Sequence, residues 1–263
     1  EDEKIDIVYI ATPHSMHYEN MIKAVKAGKH VLCEKAITVN EAQLNEVMAL
    51  AEEKGVVVRE AMTISHMPLY KKLKERIREG AIGKLKMVQV NFGSNKGYDS
   101  ASRFFALEAA GGALLDIGVY AASFARTFLS EAPNTILTTV EFLETGADEQ
   151  SGIIMKNTKG EMAVICLTLR AKQPKRGVVS GDKGYIEVYE YPRACRAAIT
   201  NTETGEVETV EAGKTEDALK YEVEAMEGCA AGDYEDDCQE ITRDVMKILT
   251  SVKTQWGMKY PFE

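Results

Sequence analysis

The sequence predicts an α/β protein: part of a doubly wound parallel sheet in residues 1–64, then an α+β domain with a large, mostly antiparallel sheet in residues 65–263. Three observations lead there. Short β-branched runs alternate with amphipathic helices as far as about residue 62, which is the pattern of βαβ units. Apolar periodicity then switches to every second residue at Val88, Val90 and Phe92, set against Gln89 and Asn91. Finally, 263 residues suffice for one large or two modest domains at roughly 150 residues each.

The elements follow in order. Ile5–Ala11 is nearly continuous in apolar character, as in a strand buried on both faces. Tyr18, Met21, Ile22 and Val25 make a helical stripe closed by Gly28, and His30–Cys33 re-enters as a strand. Asn40 with Gln43 has capping-box spacing ahead of the stripe Leu44, Val47, Met48 and Ala51, which Gly55 closes before the strand Val56–Val58. A helix from Pro68 to Gly80 precedes the strand around Val90. Further strands are expected at Ile136–Leu143, Gly152–Met155, Glu161–Leu169, Tyr185–Tyr191, Cys195–Thr200 and Glu206–Val210, with turns at Asn157–Gly160 and Gly181–Gly184. Glu161–Leu169 is apolar on both faces, so each face needs a cover, one of which can be a second subunit. Two closing helices carry the stripes Leu219, Val223, Met226 and Ile241, Val245, Ile248, Leu249, Val252, and can pack back on the first domain.

Charge narrows the partners. With 32 basic and 41 acidic residues the net charge is −9, which repels nucleic-acid backbones and anionic lipid, and no window approaches the roughly 18 unbroken apolar residues of a membrane span. No nucleic acid and no membrane are expected as partners. Eight carboxylates between Tyr221 and Thr242, Glu222 and the run Glu235, Asp236, Asp237 among them, read as a solvated face rather than a cation site. Five cysteines without a CxxC pair, and an N-terminus without an apolar signal segment, point to reduced thiols in the cytoplasm.

Chemistry is sought beyond the carboxyl ends of the parallel strands, where open α/β sheets bind ligands. The first strand ends in Ala11-Thr12-Pro13-His14 and the second in Cys33-Glu34-Lys35-Ala36. A lysine there, beside a cationic ring, would have its ammonium disfavoured and could act as acid or base; on position alone Lys35 is equally a surface residue paired with Glu34. In Gly111-Gly112-Ala113-Leu114-Leu115-Asp116-Ile117-Gly118-Val119-Tyr120, Asp116 and Tyr120 are four apart on one helical face, although Asp116 would also serve as an N-cap within a core stripe. His14 and His17 have metal-ligand spacing but no third ligand, so no metal is expected. His66 and Arg103 read as loop polar residues.

Taken together, Ala11-Thr12-Pro13-His14 with His17, Gly28 through Lys35, Gly80-Ala81-Ile82-Gly83 and the Gly111–Tyr120 segment resemble the glucose-fructose oxidoreductase/inositol dehydrogenase (Gfo/Idh/MocA) family. Arg103-Phe104 and Tyr120 resemble the branch holding glucose-fructose oxidoreductase, xylose dehydrogenase and dimeric dihydrodiol dehydrogenase. The resemblance implies that residues 1–64 are the C-terminal part of an incomplete Rossmann-like dinucleotide-binding domain, and that residues 65–263 bind substrate and oligomerise. It implies NAD or NADP as cofactor along Thr12, Pro13, His14, His17, Glu34 and Lys35. Lys35, Tyr120 and Asp116 would be catalytic, and Arg103, Asp116, Tyr120 and His66 would bind substrate. Ala36 stands where the family usually has proline, and Thr63-Ile64-Ser65-His66 where branch members often carry an aromatic residue and an arginine. No Gly-x-Gly-x-x-Gly occurs, so about 60 residues are expected ahead of Glu1.

The function expected from these residues is hydride transfer between NAD(P) and a sugar, polyol or related diol in a cytoplasmic homodimer or homotetramer. The rivals are a non-catalytic ligand-binding or assembly protein of the same fold and an NAD-dependent glycoside-cleaving relative.

Overall fold

The computed structural model describes residues 2–234 and 238–263. Two sheets share one continuous apolar core. The first is parallel, in the order β1 (Ile7–Ile10), β2 (His30–Glu34) and β3 (Val58–Ala61), with α1 (His17–Lys26) and α2 (Glu41–Lys54) as its crossovers. Helix α2 starts as its sequence requires. The Asn40 side chain accepts from the Gln43 N–H at 2.9 Å, and Gly55 ends the helix in the left-handed region at φ 64°. The third strand begins at Val58, where the sequence pattern ended it, because Val56 and Val57 are used in leaving the α2 cap.

After α3 (Thr63–His66) and α4 (Pro68–Arg78) comes a sheet of eight strands. They are β4 (Leu85–Ser94), β5 (Thr135–Phe142), β6 (Asp148–Lys156), β7 (Met162–Thr168), β8 (Lys172–Gly181), β9 (Gly184–Tyr189), β10 (Arg196–Asn201) and β11 (Val207–Glu211). Their order is β11-β10-β9-β8-β4-β7-β6-β5, antiparallel except for the parallel pair β4–β7. The strands expected from the sequence do not include β8, which carries Lys172, Pro174, Lys175 and Arg176. The register shifts opposite Asn91 and Gly93, and this irregularity lets Pro174 sit inside a central strand while its carbonyl accepts from the Asn91 amide.

One face of this sheet is covered by α5 (Val119–Phe128) and bordered by α7 (Cys238–Gln255). The stretch Leu107–Phe128, long and apolar enough to cross a membrane, is mostly buried against protein here. The opposite sheet face is open: Leu137 and Ile154 are 60% and 43% exposed, beside the half-buried Val164 and the exposed Cys166. Helix α7 also reaches the parallel sheet. Glu60 on β3 accepts from the Thr242 hydroxyl at 3.0 Å and from the Ile37 N–H at 3.0 Å. Arg126 on α5 reaches Asp244 and Glu240 of α7 at 2.6 and 3.1 Å. Helix α6 (Ala218–Ala231) lies over β2, but Leu219 and Val223 of its predicted stripe border a cavity of about 380 Å³ beside Ile7 and Tyr9 instead of being buried.

The glycine turn before α5 is the tightest point. Gly112 has φ 126°, and a Cβ there would meet Asp148 Oδ1 at 1.9 Å, while Asp148 Oδ2 accepts from the Leu114 N–H at 2.7 Å. Gly112→Ala therefore forces both an unfavourable φ and a displaced carboxyl. We expect a loss of roughly 2–3 kcal/mol in a urea titration; a midpoint within error of the native chain would contradict this close approach.

Candidate active site

The site forms where the carboxyl ends of β1 and β2 meet the turn leading into α5. After β1, Pro13 starts a short turn of 3₁₀ type, His14–Met16, which places two imidazoles against the backbone. His17 Nδ1 lies 2.9 Å from the Ala36 carbonyl and Nε2 lies 2.8 Å from the Thr12 carbonyl. His14 Nε2 lies 3.1 Å from the Lys35 carbonyl, and Nδ1 lies 3.3 Å from the Ala110 carbonyl. Burial pushes His14 down to about 4, aided by the Lys35 ammonium, and burial likewise lowers His17. Each ring is neutral and donates to one of its two carbonyls. His14 and His17, which the resemblance sets along a dinucleotide, are both buried and lie against the carbonyls of the Lys35–Ala36 turn and of Thr12 and Ala110.

The Lys35 side chain points across to the second sheet's helix. Lys35 Nζ donates to the Asp116 carbonyl at 2.7 Å and lies 3.5 Å from Asp116 Oδ1. It also sits 4.7 Å from the centroid of the Tyr120 ring, over its face. Asp116 is not an N-cap: it belongs to a π-helical turn, Leu114–Gly118, that runs directly into α5. That wider turn sets the buried Asp116 carboxylate and the Tyr120 ring on the same side, both against Lys35 Nζ. Lysine and aspartate come from positions 81 residues apart, a meeting that no local spacing reveals.

Electrostatics follow from burial. Desolvation lowers the Lys35 ammonium from its ordinary range, and Arg103 adds to this, while Asp116 and Glu34 oppose it. Burial alone would raise the Asp116 carboxyl, but Lys35 and Lys96 outweigh it and hold it below the usual carboxylate range. The Tyr120 phenol is raised by burial and by the Glu34 carboxylate. Glu34 accepts from the Tyr9 hydroxyl and from the Lys35 N–H. Thr12 and Pro13 lie half-buried at the end of β1.

Two placements differ from expectation. His66 does not face Lys35. It ends α3 and lines a separate cavity of about 590 Å³ with Lys71, Lys74 and Arg78. Glu222, expected on a solvated face, is 4% exposed, its Oε1 has no hydrogen-bond partner among the described residues, and burial followed by the Glu34 carboxylate raises it to about 8. The acidic run Glu235, Asp236, Asp237 lies outside the described residues. Sequence reading also missed Lys96, whose Nζ lies 3.5 Å from Asp116 Oδ2, because nothing in a loop lysine marks it.

Glu222 gives a pH signature. The folded chain keeps its proton up to about pH 8, whereas an unfolded glutamate releases it near 4.5, so stability declines as pH rises through that window. Glu60 and Asp148, both raised to about 7 by burial, act in the same direction. Glu222→Gln should flatten, without abolishing, the fall in Tm across the window; a slope equal to the native one would place the carboxyl in water.

Comparison with known proteins agrees with this architecture. The sequence model described as the oxidoreductase family, NAD-binding Rossmann fold (GFO_IDH_MocA) matches residues 1–62, and the GFO/IDH/MocA C-terminal domain matches residues 70–187. Trans-1,2-dihydrobenzene-1,2-diol dehydrogenase of Xenopus laevis is 31% identical over 202 residues, covering 76% of this chain and 61% of that protein. D-xylose 1-dehydrogenase (NADP(+)) of Hypocrea jecorina is 30% identical over 302 residues, covering 99% of this chain and 75% of that protein. The chain thus spans less than two thirds of the length of the diol dehydrogenase. Among solved structures, aldose-aldose oxidoreductase from Caulobacter crescentus superposes with a TM-score of 0.87 at 21% identity, covering 98% of this chain and 79% of that one. A 3-ketoreductase from Actinomadura kijaniata, solved with NADP and TDP-benzene, gives 0.86 at 22% identity over 97% and 79%. These two likenesses show the fold.

Proposed function

The chain belongs to the GFO/IDH/MocA oxidoreductase family, and from that membership we propose that it forms the proton-handling face of an NAD(P)-dependent oxidoreductase acting on a CH–OH group of a sugar, polyol or diol. The observation that carries this reading is the Lys35 ammonium, held between Asp116 and the Tyr120 ring with its charge disfavoured by burial.

The residues present fit the nicotinamide end of a dinucleotide. A cationic ring beside Lys35 would lower the ammonium further, which suits a group that must exchange a proton near neutral pH. Thr12, Pro13, His14 and Glu34, which follow β1 or end β2, would border it. The bound dinucleotide would supply hydride exchange. Lys35 Nζ would take the hydroxyl proton in oxidation and return it in reduction. Asp116, fixed by two lysines, would orient the hydroxyl. Tyr120 would relay the proton through its phenol, which is raised and so stays protonated. His14 and His17 would act at one remove, by positioning Lys35. In a protein with its full nucleotide site, Lys35→Met should lower kcat/KM by roughly 10²–10⁴ while NAD(P) still binds; normal turnover would remove Lys35 from the mechanism.

The same reading extends to assembly. The open face of the eight-stranded sheet, with Leu137, Ile154 and Val164, supports a homodimer or homotetramer that covers it. Ile154→Glu should then shift the species in sedimentation velocity toward monomer without unfolding it, whereas an unchanged distribution would refute that interface. The five thiols, none in a disulfide, support a reducing, cytoplasmic setting.

A further inference from the structure

The surroundings of Asp116 carry more positive charge than the carboxylates there answer, on a chain whose net charge is −9. Lys35 and Lys96 share Asp116, each 3.5 Å from a different oxygen. Arg103 forms no ion pair among the described residues. Its guanidinium carbon lies 4.2 Å from the Phe104 ring centroid, and the same ring takes Lys96 Nζ at 3.5 Å. Arg103 is close enough to Lys35 and Asp116 to shift both, and Arg193 acts likewise on Tyr120 and Glu222.

The acids nearby do not balance these four cations. Asp116 and Glu34 answer two of them, and Glu222 keeps its proton to about pH 8. Ser94, two residues before Lys96, adds a buried hydroxyl with no hydrogen-bond partner among the described residues. Cations gathered around too few carboxylates repel each other, and an anion entering between them relieves that repulsion. A planar guanidinium beside a point-charge ammonium suits an oxyanion with several oxygens.

From this juxtaposition we infer that the substrate carries an oxyanion, a phosphate or a carboxylate, held between Lys96 and Arg103 while its reacting hydroxyl lies at Lys35 and Asp116. The inference rests on the hydride-transfer reading only for where the substrate sits. It makes Arg103 and Lys96 specificity residues, selecting acidic or phosphorylated sugars over neutral ones.

The test is ligand-dependent melting of the chain with D-glucose, D-glucose 6-phosphate, D-glucuronate and inorganic phosphate at matched ionic strength. At about a hundredfold excess over Kd, an anionic sugar should raise Tm by on the order of 5 °C, and glucose should not. The phosphate and glucuronate arms separate a phosphate site from a carboxylate site. Arg103→Met and Lys96→Met, whose own unliganded melting reports folding, should each diminish the shift, and the double variant should remove it. An equal effect of glucose, no effect of any anion, or a shift that survives in the double variant overturns the inference. So does a shift erased by saturating NADP⁺, which assigns the cations to the cofactor's phosphates. Failure of the hydride-transfer reading looks different: the anion shift persists with no NAD(P)H formed from any bound sugar.

Discussion

Neutral imidazoles wedged between backbone carbonyls hold the cleft in shape. His17 lies between the Thr12 carbonyl at the end of β1 and the Ala36 carbonyl in the turn after β2, and His14 between the Lys35 and Ala110 carbonyls, each ring donating to one of its pair. A net hydrogen bond contributes only about 0.5–1.5 kcal/mol, but a buried carbonyl left without a donor costs about 1–3 kcal/mol. These contacts therefore matter most through what their loss would expose. Because both rings are pushed toward neutrality by burial, they fix the position of Lys35 without adding charge beside an ammonium already disfavoured.

From that fixed point the electrostatics of the cleft follow. A lysine taken out of water loses hydration that one carboxylate repays only in part, and here the same carboxylate also answers Lys96. Asp116 is consequently well settled as an anion, while Lys35 is not settled as a cation. This asymmetry is what a proton-exchanging lysine requires: a partner that keeps its charge and an ammonium that gives up its own readily.

Much of this was legible in the residues. The three parallel strands, the Asn40 cap and the Gly55 stop carry local signals, each readable within a few positions. The motif ends at Lys35 and Asp116 were legible as well, but their contact was not, since it spans 81 residues. Strand β8 stayed hidden because its proline and charges follow turn chemistry and only the neighbouring strand's irregular register accommodates them. Glu222 was misread because a carboxylate amid other carboxylates looks solvated, and its burial depends on α6 lying over β2. His17, which the resemblance sets along the cofactor, has both ring nitrogens against backbone carbonyls, a placement that no local spacing shows.

The parallel pair inside the larger sheet bears on how the chain reaches this state. Strand β4 sits between β7 and β8, with Met87 opposite Met162 and Ser180, so the middle of the sheet cannot close until the whole segment carrying α5, β5 and β6 has been laid down. The β5–β6 and β9–β10 hairpins can form early, from contacts close in sequence, whereas the central ladder waits on large loop closures. Contact order of this kind makes for slow folding, and it leaves β4, an apolar strand, without either neighbour during synthesis until the chain well beyond it has emerged. The cleft, whose glycine turn and π-helical segment lie inside that loop, is accordingly among the last parts of the molecule to be assembled.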